Sequence, residues 1–308
     1  MRPMYLAHYG LAEAPFAITP DPRFVFLSER HRDALAHLMY GIGQGGSGGF
    51  VQLTGEVGTG KTTLCRLALE QLPDNVRVAL VLNPKQTPLE LLETVCEELH
   101  VPPTSRRRSL KTRIDELNAF LLDAYAKDLR VVLIIDEAQE LSRELLEQVR
   151  LLTNLETSTQ KLLQVVLLGQ PELRDTLARP ALRQLAQRIT ARFHLPPLEA
   201  ADTSAYLRHR IAIAGASVFP FEEPAVRRLH QLSGGVPRLL NVLGERALLA
   251  GYVHGRARVD ARLVDLAAAE VLPPAGETGG RGWRVVGWSL LLGGALLLWF
   301  ALGMRGIA

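Results

Sequence analysis

The sequence lacks several features that define other classes of protein. Only two cysteines occur in its 308 residues, Cys65 and Cys96, and neither lies in a spacing used for metal ligands. We therefore expect free thiols packed on helices in a reducing compartment, and no disulfide framework or zinc site. Residues 1–8 contain no apolar stretch long enough to be the core of a secretory signal.

A strong charge of either sign is also missing. The formal net charge is +3 and the isoelectric point is near 9.0, which is too mild to require a nucleic-acid partner. An acidic partner or an anionic membrane surface remains compatible with this charge. Three consecutive arginines at 106–108 favour a solvated loop over a phosphate or lipid contact. With 47% hydrophobic residues, the chain is long enough for two folded units with appendages.

The stretch GEVGTGKTT fits the phosphate-binding pattern G-x-x-x-x-G-K-[ST]. An apolar run at 49–54 predicts a strand before it, and 64–69 continues after it with helical periodicity. Glycines in such a loop point backbone N–H groups at phosphates, and the helix that follows adds its dipole. Lys61 is predicted to reach the β- and γ-phosphates of ATP, and the Thr62 hydroxyl to ligate Mg²⁺. The predicted nucleotide-binding residues are Gly55, Glu56, Val57, Gly58, Thr59, Gly60, Lys61, Thr62 and Thr63.

Two carboxylates follow a second apolar run. Residues 131–135 predict a buried strand, and Asp136 and Glu137 come directly after it. Open α/β sheets bind ligands at the carboxyl ends of their strands. We expect Asp136 to hold the Mg²⁺ shell and Glu137 to orient or deprotonate the attacking water.

Polar and basic residues further along predict the rest of a hydrolytic site. Gln170 follows a predicted strand at 162–168, where it could orient the water or contact the γ-phosphate. Arg238 is expected to open a helix and to reach the γ-phosphate in its own subunit. Either Arg188 or Arg192 is the candidate arginine finger. In a ring of subunits this arginine would reach into the nucleotide site of the neighbouring subunit.

The order of the elements predicts an α/β fold with a parallel sheet and helices on both faces. Near-continuous apolar runs at 49–54, 76–82, 131–135 and 162–168 predict buried strands, and helical patterns separate them. After Leu198 the strand signal ends, and helical patterns predict a small all-α lid. The predicted helices span residues 28–40, 88–99, 110–128, 143–155, 201–214, 222–232, 237–252 and 260–271.

An uncharged run at 285–304 predicts one C-terminal transmembrane helix. Its length matches the ~30 Å hydrocarbon thickness of a bilayer, and Trp283, Trp288 and Trp299 suit the interfaces. The predicted divisions are a lead-in at 1–45 packing on the core, a nucleotide-binding domain at 46–198, a helical lid at 199–272, a linker at 273–284, the span at 285–304 and a tail at 305–308.

Together these motifs resemble the AAA+ ATPases of the ExeA/GspA type, the general secretion pathway protein A family. The resemblance runs from about residue 5 to 272, through YLAHYGL, PFAITPDPRFVFLSERH, GEVGTGKTT (Walker A), VLIIDEAQ (Walker B), LLTNLET, LLGQPEL, LAQRITARFHLPPL and GGVPRLLN. It implies a P-loop NTPase fold and a cytoplasmic ATPase anchored in the bacterial inner membrane by one helix. It also implies that Gln170 is sensor 1 and Arg238 is sensor 2.

The resemblance implies partners as well. These are further copies of the chain in a ring or other homo-oligomer, the inner membrane, and an ExeB/GspB-type protein with a secretin assembly. Because the sequence stops four residues after Met304, we do not expect it to bind peptidoglycan directly.

Two alternative functions stay open at this stage. One is a DNA-binding ATPase of the transposition-helper type, although we do not expect a nucleic-acid partner. The other is a nucleotide-sensing scaffold with slow turnover. The residues that contact adenine are also undetermined, with Phe16, Ile18 and the helix after them as candidates.

Overall fold

A five-stranded parallel sheet forms the centre of the computed structural model, which describes residues 4–17, 21–43, 49–104, 108–157 and 160–272. The strand order is β2-β3-β4-β1-β5, and every neighbouring pair is parallel. Helices join successive strands, because parallel strands need a crossover connection. The strands are β1 (Phe50–Gly55), β2 (Val76–Val81), β3 (Arg130–Ile135), β4 (Leu163–Gly169) and β5 (Ile189–Leu195).

The helices begin and end within a few residues of their predicted bounds, and the short α1, α7 and α8 were not predicted. Local capping explains several starts: Thr87 and Glu90 form a capping box before α4, and the Ser109 and Ser142 side chains cap α5 and α6. In chain order the helices are α1 (Tyr5–His8), α2 (Glu29–Gly43), α3 (Lys61–Glu70), α4 (Pro88–Glu98), α5 (Leu110–Ala126), α6 (Arg143–Leu152), α7 (Glu172–Leu177), α8 (Arg183–Ala186), α9 (Ala200–Ile213), α10 (Glu223–Ser233), α11 (Pro237–Val253) and α12 (Ala261–Val271).

Two apolar layers cover the sheet, one on each face. On one face α4, α5 and α6 pack against alternate residues of the strands, among them Leu133 and Val165. On the other face α2 and α3 pack against the intervening residues, such as Ile134 and Val166. Strands buried on both faces carry continuous apolar runs, so the predicted α/β parallel sheet with helices on both faces is confirmed.

The sequence analysis missed β5, the edge strand that pairs only with β1. Only its end residues Ile189 and Leu195 are fully buried, and the residues between them include Arg192 and His194, which are exposed. Because exposed and half-buried side chains separate its two buried end residues, this strand lacks the continuous apolar run of the inner strands.

Both cysteines are free and buried, as predicted. Cys65 lies on α3 and Cys96 on α4, where each belongs to an apolar layer. Burial raises the pKa of the Cys65 thiol to about 12 and that of Cys96 to about 11. A neutral, buried thiol is inert, so these residues act as small apolar core residues.

The N-terminal segment packs against the helices that follow the sheet. The Tyr5 hydroxyl donates a hydrogen bond to Glu245 on α11, and the Ala12 N–H donates to the Ala214 carbonyl. Phe16 is buried and contacts Phe221 edge-on. The division of the chain into domains is not tested by these contacts and stays a prediction.

Arg210 on α9 ties the same segment to the helices. This arginine is buried, and its guanidinium donates to the carbonyls of Pro15 and Ala17. It also stacks on the rings of Phe24 and Tyr206. A guanidinium offers five donors and a flat apolar face, so one side chain can hold the backbone and pack against aromatic rings.

Some predictions concern residues outside the described part of the chain. The predicted membrane span at 285–304 lies there, and among the described residues no helix has the length and apolar character to cross a bilayer. Of the three arginines at 106–108, only Arg108 is described, and it forms a salt bridge with Glu93.

We expect replacement of Arg210 by alanine to lower the free energy of unfolding by about 2 kcal/mol, because the buried Pro15 carbonyl loses its donor. Arg208→Ala on the same helix is the matched control, since Arg208 is exposed and stacks on Phe219. That control should cost less than about 1 kcal/mol. Chemical denaturation of both variants checks the difference, and equal costs would contradict the anchoring role of Arg210.

Candidate nucleotide site

The loop between β1 and α3 has the backbone geometry of a phosphate cradle. Gly58 and Gly60 adopt φ values of 83° and 103°, a region that disfavours side chains. A Cβ at Gly58 would lie 2.6 Å from the Cβ of Arg238, so this glycine also allows a close approach. Since α3 begins at Lys61, the first N–H groups of this helix follow the loop directly.

Lys61 is held inside this loop. Its side chain is buried, and Nζ donates to the carbonyls of Gly55 at 2.8 Å and Glu56 at 2.9 Å. Burial lowers the pKa of Lys61, although the nearby carboxylates of Glu137 and Asp136 oppose this shift. The ammonium group therefore lies among acceptors at the end of β1, where a phosphate oxygen would be a competing partner.

Thr62 and Asp136 meet across the site. The Thr62 hydroxyl donates to Oδ2 of Asp136 at 2.8 Å, and Oδ1 accepts the Glu137 N–H at 2.8 Å. Asp136 is buried at the end of β3. A hydroxyl and a carboxylate are hard oxygen donors of the kind that Mg²⁺ prefers, so this pair fits the ion predicted from the sequence.

Glu137 and Gln170 lie together at the ends of adjacent strands. Gln170 follows β4 directly, and its Nε2 donates to Oε2 of Glu137 at 3.3 Å. Glu137 is exposed and has an unusual φ of 51°. Non-glycine residues with such backbone angles occur preferentially at functional sites.

Arg238 approaches the loop from the helices beyond the sheet. It is the second residue of α11, and its backbone N–H donates to the Gly58 carbonyl at 3.3 Å. Glu137, Lys61, Thr62 and Arg238 line one cavity of about 500 Å³. The structure therefore brings together residues that lie far apart in the chain, from Lys61 to Arg238.

The candidate finger residues do not line this cavity. Arg188 is half-buried, and its Nη1 donates to the Thr153 hydroxyl at 2.8 Å and to the Arg150 carbonyl at 3.3 Å, at the end of α6. Arg192 is exposed on β5 and donates to the Ala186 carbonyl.

The cavity has a second wall that sequence reasoning missed. Residues 21–27 form part of it, and Tyr206, Arg210 and Asn241 face them from α9 and α11. Phe16, one of the adenine candidates, instead packs edge-on against Phe221 and next to Gly244. Ile18, the other named candidate, lies outside the described residues. A cavity wall built from three separate segments carries no local sequence signal.

His31 on α2 is another residue that the sequence analysis missed. It is buried, its Nδ1 lies 2.7 Å from the Ser28 hydroxyl, and its Nε2 lies 3.1 Å from the Thr59 carbonyl. Because a carbonyl only accepts, Nε2 carries the proton and Nδ1 accepts from Ser28. Burial lowers the pKa of His31, so a neutral imidazole supports the phosphate loop from the α2 side.

Comparison with known proteins agrees with this geometry. The model of an AAA domain matches residues 44–177. General secretion pathway protein A of Aeromonas hydrophila is 48% identical over 295 residues, which cover 96% of this chain and 53% of that protein. The chain thus spans about half the length of the curated relative that it matches.

Solved structures share the fold at low identity. Cdc6p from Pyrobaculum aerophilum has a TM-score of 0.65 at 20% sequence identity. The match covers 84% of this chain and 70% of the Cdc6p chain. The ORC2 protein of Aeropyrum pernix has a TM-score of 0.60 at 20% sequence identity, and the match covers 83% of this chain and 70% of the ORC2 chain. Residues 44–177 therefore match an AAA domain within a P-loop fold, and the resemblance to general secretion pathway protein A that the motifs indicated is confirmed.

Proposed function

We propose that this protein hydrolyses ATP with Mg²⁺ to drive assembly or energisation of a bacterial secretion or envelope system. The observation that carries the proposal is the convergence of Lys61, Thr62, Asp136, Glu137 and Arg238 on one site, with Gln170 bonded to Glu137. Nucleotide binding needs only the loop. Hydrolysis also requires carboxylates beside the loop, and here they follow β3 at the same edge of the sheet.

Each residue has a defined task in this proposal. Backbone N–H groups of residues 55–63 hold the phosphates, and Lys61 exchanges its carbonyl partners for β- and γ-phosphate oxygens. Thr62 and Asp136 would hold Mg²⁺, which when bound offsets the charge on the phosphates. The Glu137 carboxylate orients the attacking water and accepts its proton.

Two further groups stabilise the charge that develops on the γ-phosphate. Gln170 acts from the end of β4 as sensor 1, next to Glu137. Arg238 acts from α11 as sensor 2, in contact with Gly58 of the phosphate loop. Guanidinium groups suit this task because they present a planar fork of donors to phosphate oxygens.

The first test separates binding from hydrolysis. We expect Glu137→Gln to lower steady-state turnover at least about a hundredfold while ATP affinity is retained, because it removes only the base. Lys61→Ala should lose ATP affinity itself. Glu140→Gln is the matched control, since Glu140 is exposed three residues away and pairs with Lys85. Phosphate release and binding of a fluorescent ATP analogue give the two readouts. Turnover by Glu137→Gln equal to that of the unaltered protein would sink the proposal and favour a nucleotide-binding scaffold.

We also propose that the site is completed by a second copy of the chain, through Arg188. Its position outside the cavity of its own subunit supports a role in a neighbour's site. Arg192, which is more exposed, is the alternative finger.

Mixing two inactive variants tests this shared site. Arg188→Ala keeps its own Glu137, and Glu137→Gln keeps its Arg188, so hybrid assemblies contain complete sites. We expect each variant alone to be at least about tenfold slower than the unaltered protein and the mixture to regain turnover. Arg183→Ala, an exposed arginine on α8, is the control. Full activity of Arg188→Ala with loss in Arg192→Ala would reassign the finger, and an inactive mixture would contradict sharing.

We propose that residues 285–304 anchor the protein in the inner membrane with the ATPase in the cytoplasm. The uncharged run supports the span, and Arg281 and Arg284 before it agree with retention of that side in the cytoplasm. The similarity to general secretion pathway protein A supports the same location and an ExeB/GspB-type partner.

Cell fractionation with an alkaline wash tests the anchor. We expect the full chain to stay in the pellet, because an apolar helix of this length does not leave the bilayer when ionic contacts are broken. A chain ending at Leu272 is the control and should be washed off. Recovery of the intact full chain in the wash would contradict the anchor.

A further inference from the structure

We propose that Gln139 is a positioning residue that fixes the Glu137 carboxylate for water activation. The inference rests on the proposed ATPase function and adds a residue to its machinery. Gln139 lies on the single turn of 3-10 helix, Ala138–Glu140, that follows β3 and Glu137. It was part of the motif VLIIDEAQ but received no role in the sequence analysis.

The Gln139 side chain uses both ends of its amide. Nε2 donates to Oε2 of Glu137 at 2.7 Å, and Oε1 accepts from the Gln170 backbone N–H at 3.0 Å. The first bond is shorter than the 3.3 Å bond from the Gln170 side chain to the same oxygen. Gln139 thus connects the carboxylate to the backbone at the end of β4.

Space for this connection is provided by Gly169, the last residue of β4. A Cβ at this position would lie 3.0 Å from Oε1 of Gln139 and 2.9 Å from Cδ2 of Leu173. The φ of Gly169 is not positive, so close approach and not backbone strain explains the glycine. A half-buried amide seated in such a narrow place has few alternative rotamers.

Glu137 needs such a support because little else restrains it. The residue is exposed, and a glutamate has three side-chain torsions to fix before its carboxylate can act as a base. Both amides contact Oε2, and within the described residues no hydrogen bond engages Oε1. We therefore assign Oε2 to anchoring and Oε1 to the attacking water.

A purely structural role for Gln139 makes a different prediction. If the amide only closes the turn after β3, its loss reduces stability and affects activity equally whether or not Glu137 is present. A residue that acts through Glu137 loses its effect once the carboxylate is gone, because coupled residues are not additive. The decisive comparison is therefore made in two backgrounds.

The experiment uses the full chain with Gln139→Met, which removes both hydrogen bonds, and Gln139→Glu, which keeps the acceptor for Gln170 but places a carboxylate against Glu137. We expect each to lower kcat at least about tenfold, with the affinity for a fluorescent ATP analogue changed less than about threefold. Gln86→Met is the matched control, because Gln86 is a half-buried glutamine that bonds Thr94 away from the cavity. It should behave as the unaltered protein.

Single-turnover release of labelled phosphate then compares Glu137→Gln with the double variant Glu137→Gln, Gln139→Met. We expect the two rates to agree within about twofold. A further tenfold loss in the double variant, or unchanged kcat in both single variants, would overturn the positioning role. If Gln139→Met does not fold by its melting profile, Gln139→Glu carries the test. If the unaltered protein and Glu137→Gln hydrolyse ATP equally slowly, both the ATPase function and this inference are overturned. If Glu137→Gln is slower than the unaltered protein but the Gln139 variants are not, the inference alone is overturned.

Discussion

The parallel pairing of β3, β4 and β1 is the constraint on which the site depends. In parallel strands the carboxyl ends lie at one edge, so the residues that follow three different strands become neighbours. The register aligns Ile135 with Leu167, and Thr54 with Gly169. Consequently the phosphate loop, the Asp136–Glu137 pair and Gln170 emerge within one narrow zone, although they are separated by long stretches of sequence.

That constraint explains which parts of the site could be predicted from the sequence. The phosphate loop and the Asp136–Glu137 pair each follow an apolar run, so a local pattern locates both the strand and the residues at its end. Gln170 follows the same rule. The inner strands are recognisable in the sequence because they are buried on both faces, whereas β5 has a mixed polarity because exposed side chains such as Arg192 and His194 lie between its buried ends.

Other parts of the site depend on tertiary packing and have no local pattern. The wall formed by residues 21–27 exists only because α9 and α11 fold back against it. His31 is one histidine on an ordinary amphipathic helix, and its contact with the Thr59 carbonyl spans 28 positions of sequence. Phe16 is apolar and lies in the N-terminal segment expected to cover adenine, but its ring packs in the core beside Gly244.

The helices beyond the sheet meet the phosphate loop through backbone as well as side chains. The Arg238 N–H contacts the Gly58 carbonyl, and a Cβ at Gly235 would overlap the Leu198 carbonyl. Main-chain contacts of this kind do not adapt by rotamer change, so the start of α11 fits closely against Gly58 of the phosphate loop and the turn before α11 fits closely against Leu198.

Arg210 connects helix α9 to the N-terminal segment beside the cavity. Its guanidinium holds the carbonyls of Pro15 and Ala17 from inside α9, and it stacks on Phe24 at the cavity wall. Arg210 therefore fastens helix α9 to the segment that precedes α2. Two parts of the cavity wall that lie far apart in the sequence therefore share one anchoring side chain, and a change at Arg210 acts on both of them.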